Sequence, residues 1–138
     1  MSWGDKCLMA LAEKKLFESS GHRTRFKELM DCYSDYPFFS KGLCKCMYLS
    51  AWDEEHFCVM LETLTDMSLG RETDTGDMRM EGDIRAGEQM DDEYYMYHLA
   101  NAFLDGVPFQ LAPDANVSPE KRYTIRQALR AAEVIDNL

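Results

Sequence analysis

The sequence predicts an all-α fold: a compact bundle of five or six helices, interrupted by an acidic, glycine-containing insertion around residues 72–88. Three observations carry this expectation. Apolar residues recur at helical spacing on both sides of the insertion. Helix start and stop residues bracket those runs. The chain has 138 residues and is 46% hydrophobic, enough for one buried core, and no shift in composition marks a second domain, so a single helical domain over 1–138 is expected.

The first element is "SWGDKCLMALAEKKLFESSG", rich in good helix formers, with Ser-Ser-Gly read as its stop. In "HRTRFKELMDCYSDYP", Phe26, Leu29, Met30 and Tyr33 recur at helical spacing and Pro37 terminates. "FFSKGLCKCMYLSAW" is apolar on nearly every side, which predicts a buried segment, helical by its length. "DEEHFCVMLETLTDMSLG" carries the cleanest pattern. Its three leading acids suit a helix N-terminus, Phe57, Met60, Leu61, Leu64 and Met67 share a face, and Gly70 ends it.

Within the insertion, Met78-Arg79-Met80 and Asp83-Ile84-Arg85 flank Glu81-Gly82, a candidate short β-hairpin. "MDDEYYMYHLANAFLDG" follows as a helix with apolar side chains around most of its circumference, which predicts a central place in the bundle. Its one polar seam is Asp91, Tyr94, His98, Asn101 and Asp105. "VPFQLAPDANV" is an extended connector. Ser118 and Pro119 then open the last helix as N-cap and first-turn proline. There Ile125, Ala128, Leu129, Ala132 and Ile135 face inward, with Arg122, Arg126 and Arg130 as an outward stripe.

The formal charge of −10 is concentrated in one third of the chain. Residues 1–52 carry +2, residues 53–94 carry −11, and residues 95–138 carry −1. Such a field repels nucleic acid and anionic membranes and attracts basic protein surfaces. No clustered basic face exists to bind phosphate, so direct nucleic-acid binding is not expected. No stretch reaches the length of a membrane span. The five cysteines are odd in number and match no disulfide framework, so free thiols and a cytoplasmic location are expected.

Catalytic signatures are absent. No serine sits in a nucleophile elbow, no glycine loop cradles phosphate, and "ETDTGDMRMEGD" misses the calcium-loop register. Cys44, Cys46, His56 and Cys58 are four soft ligands in a short span, but on a helix Cys44 and Cys46 point about 160° apart. Buried thiols are the simpler reading. The His98 seam, with Asp91 and Asp105, is the other metal or acid–base candidate, and a solvated polar seam is its simpler reading.

These readings point to a non-enzymatic acidic binding protein without a cofactor or a dedicated metal. Its partner-binding residues are Asp74, Asp77, Glu81, Asp83, Glu88, Asp91, Asp92 and Glu93. The apolar residues Met78, Met80, Ile84 and Met90 interleave with these acids and could anchor them as a rigid anionic surface. The concrete expectation is an inhibitor that fills the basic nucleic-acid-binding groove of a partner protein. Small antagonists of nucleases from phage and mobile elements provide an analogy of size and charge only. The rivals are a metal-dependent helical enzyme or metal sensor, using the His98 seam or the cysteine cluster, and a homo-oligomeric structural protein such as a homodimer.

Overall fold

The computed structural model describes residues 1–71 and 91–138. Among them are six helices and no strand: α1 (Trp3–Glu13), α2 (Ser20–Tyr33), α3 (Lys41–Ser50), α4 (Glu54–Ser68), α5 (Asp92–Asp105) and α6 (Pro119–Asp136). The all-α expectation is met for the described chain. The candidate hairpin and the whole insertion at 72–88 lie outside the described residues.

Every helix starts on a side-chain cap. Ser2, Ser19, Ser40, Asp53, Asp91 and Ser118 each accept a hydrogen bond from the backbone N–H three residues on, satisfying one of the donors a helix start leaves open. Ser2 and Asp5 form a reciprocal capping box. Ser19 corrects the reading of Ser-Ser-Gly as the stop of the first helix. Helix α1 ends earlier, at Glu13, and the serines begin α2. Three helices end in left-handed residues, Lys15 (φ 57°), Gly70 (φ 76°) and Gly106 (φ 68°). In each case the next N–H bonds back five residues, Leu16 to Leu11, Arg71 to Asp66 and Val107 to Ala102, closing the helix carbonyls.

Helix α3 is the axis of the packing. It touches α2, α4, α5 and α6, and Leu43, Cys44, Cys46, Met47, Tyr48 and Leu49 are all buried. The sequence reading gave the central place to α5. That helix instead packs on α3 and α6 and leaves His98 and Asp105 exposed. Its nearly continuous apolar circumference includes tyrosines, which can be half-buried with the hydroxyl in water.

Both ends of α3 are fitted to neighbours. At its start Gly42 lies against α5 so closely that a Cβ there would be 2.6 Å from the carbonyl oxygen of Phe103. Lys45 pairs with the Asp136 carboxylate at 2.7 Å. Lys41 donates to the carbonyls of Asp136 (3.1 Å) and Leu138 (3.4 Å), placing positive charge at the negative end of α6. At the C-terminal end of α3, Arg25 donates to the carbonyls of Ala51 (2.7 Å) and Trp52 (2.9 Å). His22 donates from Nε2 to the Tyr48 carbonyl at 2.8 Å and accepts the Glu18 N–H at Nδ1, 3.1 Å away.

The face of α4 is as expected at Met60, Leu64 and Met67, which are buried, whereas Phe57 and Leu61 are only partly buried. On α6, Ile125, Ala128, Ala132 and Ile135 are buried and Leu129 is at the edge. Leu61 and Leu129 therefore flank the core instead of filling it.

Gly42→Ala tests the α3–α5 contact. Alanine has the better helix propensity by up to about 1 kcal/mol, yet here it forces two backbones apart. We expect a net loss of about 1–3 kcal/mol in urea unfolding. A neutral or stabilising result would place α5 farther from α3.

Candidate functional site

The acids that begin α4 and α5 meet through one imidazole. Helices α4 and α5 have no Cα pair within 8 Å, although both pack on α3. His56 spans the gap. Its Nδ1 lies 2.8 Å from both oxygens of the Asp53 carboxylate, and its Nε2 lies 3.2 Å and 3.3 Å from the two Glu93 oxygens. Asp53 is also the α4 cap, accepting the His56 N–H at 2.8 Å, so local helix geometry already orients the ring. The Tyr97 ring lies beside it, centroids 5.7 Å apart.

Burial disfavours the charged imidazole of His56, but the Asp53 and Glu93 carboxylates outweigh it and raise the pKa above the usual value of 6.5. Asp53 shows the reciprocal balance: burial pushes it up, and the His56 hydrogen bonds bring the net shift below 3.8. When protonated, the ring is an imidazolium between two carboxylates, and both of its nitrogens donate.

Of the expected partner-binding residues, Asp91, Asp92 and Glu93 are described, and each has an internal role. Asp91 caps α5, accepting the Tyr94 N–H at 3.4 Å. Asp92 accepts the Ser118 N–H at 2.7 Å, tying the start of α5 to that of α6. Glu93 belongs to the His56 bridge. Asp74, Asp77, Glu81, Asp83 and Glu88 lie outside the described residues.

Below the bridge, α4 and α5 form a cleft floored by α3, with Leu49, Val59, Met60, Met96 and Ala100 among its lining. It holds about 40 Å³, space for a few waters at most, and its lining offers them few partners.

The metal candidates do not converge. Cys44 Sγ lies 3.9 Å from Cys7 Sγ and 3.9 Å from Met30 Sδ, whereas Cys46 Sγ donates to the Ala100 carbonyl at 3.2 Å. Cys58 is exposed, as is Cys32, so within the cluster the expected burial holds for Cys44 and Cys46 and fails for Cys58. Although the Cys7 and Cys44 sulfurs touch, α1 and α3 have no Cα pair within 8 Å, too far for a disulfide without backbone movement. Exposed His98 stacks on Tyr94 (5.6 Å, 25°) and lies 6.0 Å from Phe109. The seam is solvated at His98 and Asp105 and half-buried at Asp91, Tyr94 and Asn101. No group of three or more metal-ligating side chains occurs among the described residues.

The arginine stripe is outward at Arg126 and Arg130, which are exposed, with Arg130 also reaching Gln127 Oε1 at 3.4 Å. Arg122 is partly buried and bonds the connector carbonyls of Pro113 (3.2 Å) and Ala115 (2.6 Å). Sequence reasoning missed His22. The side chain is fully buried among Phe17, Tyr48 and Trp52, with ring centroids at 5.3, 4.6 and 4.9 Å. Only the Ser19 cap three residues before it hinted that it begins a helix at an interface.

Burial lowers the His22 pKa to about 4 from 6.5. The unfolded chain then binds more protons than the folded one between those values, so stability rises with pH across that window. His22 contributes fully above pH 6.5, and its contribution is lost as pH falls through 6.5 toward 4. Urea unfolding should lose on the order of 3 kcal/mol from this group over that range. A His22→Gln variant should lack that acid limb. An unchanged acid limb in the variant would show that His22 is not the titrating group.

No helix among the described residues is long and apolar enough to cross a membrane. No protein-family model, curated protein or solved structure matches the chain.

Proposed function

We propose that the protein is a non-enzymatic binding protein that engages a basic protein surface through the acids around residues 72–93. In its most concrete form it is an inhibitor that fills a partner's nucleic-acid-binding groove. The observation that carries this reading is the charge distribution, a net −11 over residues 53–94 from fourteen acids and only three arginines. One of those, Arg71, lies 3.5 Å from Asp66. Anionic groups presented together match the arginines and lysines that a phosphate-binding groove already holds.

The acids of the segment divide by role. Asp91, Asp92 and Glu93 fix the start of α5, and recognition rests on Asp74, Asp77, Glu81, Asp83 and Glu88. Reversing the first group would confuse folding with binding. Reversing the second is the test of binding, because the reading gives these acids to the partner, and charge offered to a partner steers association over about 8–10 Å.

The test is affinity capture from native cells with the wild-type chain and with a variant carrying lysine at those five positions. The wild type should retain a nucleic-acid-binding protein that duplex DNA or RNA competes away and that elevated salt releases. The variant should lose it while its urea unfolding midpoint stays near the wild type. Capture that survives the reversals, or that ignores nucleic-acid competition, would refute the reading.

A further inference from the structure

We propose that Asp53, His56 and Glu93 form a proton-operated clasp that holds α4 to α5 across the apolar cleft and lets them part when the imidazole becomes neutral. The geometry carries the argument. No Cα of α4 lies within 8 Å of a Cα of α5, and His56 joins the two helices from the α4 side, with one carboxylate on each ring nitrogen. An imidazolium donates at both nitrogens; a neutral imidazole donates at one and presents a lone pair at the other.

The two carboxylates are unequal partners. Asp53 sits three residues before His56 on the same helix, at 2.8 Å, and is held by its capping bond to the His56 N–H. Glu93 is farther, at 3.2 Å, and comes from the other helix. The remaining proton therefore stays on Nδ1, toward Asp53. The Nε2 lone pair then faces Glu93, an acceptor against an acceptor, and attraction becomes repulsion.

The other groups around the clasp do not replace that contact. The Tyr97 ring from α5 lies beside the imidazole. The Lys121 charge, from α6, acts on Asp53. No other charged group among the described residues is within ion-pair distance of His56. What the clasp closes is the cleft between Val59 and Met60 of α4 and Met96 and Ala100 of α5. The raised pKa of His56 sets the direction: closed while the imidazole is protonated, released as pH rises past that value.

The test uses the full chain labelled at histidine nitrogens and methionine methyls, followed by nuclear magnetic resonance from pH 5 to 9. His56 should show both nitrogens protonated at low pH and titrate above the ordinary imidazole value of 6.5. The Met60 and Met96 methyl resonances should move with the His56 midpoint, while the Met30 methyl, in the core beside Cys44, should not. In Glu93→Gln the His56 midpoint should fall and the cleft methyls should follow it. In His56→Gln the cleft methyls should lose their pH dependence, which keeps the test decisive even where Glu93→Gln fails to fold. Cleft methyls that stay fixed while His56 titrates, or that move with another midpoint, would overturn the proposal.

Discussion

The structure depends on burying a ten-residue helix, α3, against four others. Ten residues make a helix of about 15 Å, too short to be stable by itself in water. It persists because six of its side chains are buried and its C-terminal carbonyls find donors on α2. Leaving those carbonyls without partners in the core would cost about 1–3 kcal/mol each. His22 and Arg25 supply the donors. This explains why α2 carries a neutral histidine in an apolar setting: the Tyr48 carbonyl needs an N–H, and the Glu18 N–H needs an acceptor. Imidazole in one tautomer provides both.

Acids do two kinds of work in this chain. Asp53 and Asp91 cap helices, Asp92 receives the Ser118 amide, and Glu93 bridges to His56. These carboxylates belong to the architecture on both sides of the insertion. The remaining excess between residues 72 and 90 has no comparable count of cations in its own stretch, where only Arg79 and Arg85 occur. That imbalance motivates the binding proposal. In the arginine stripe of α6, Arg122 is already used in holding the 107–117 connector.

Much of the helical layout was legible because periodicity and capping are local. Asp53, Gly70, Ser118 and Pro119 mark boundaries wherever the helices pack. What failed was tertiary. Ser19 reads equally as the tail of one helix or the cap of the next, and only the early stop at Glu13 decides it. The apolar circumference of α5 suggested a central helix, but half-buried tyrosines can mimic that pattern. Leu61 and Leu129 fit their apolar faces by angle yet sit at the rim, since a face is wider than the contact it makes. The Asp53–His56 spacing is local and visible in the sequence; Glu93, 37 residues on from His56, gives the pair its structural meaning, and no local pattern announces it. The acids at 72–90 were legible as charge.

The central claim is that α3 is the axis on which the other helices depend, and native-state hydrogen exchange tests it most directly. Amides of Cys44 to Ser50 should exchange only through global unfolding, with an opening free energy equal to that from urea denaturation. The ends of α1 and α5 should open at lower cost. Exchange of the α3 amides through a cheaper local opening, while α6 stays protected, would contradict the account.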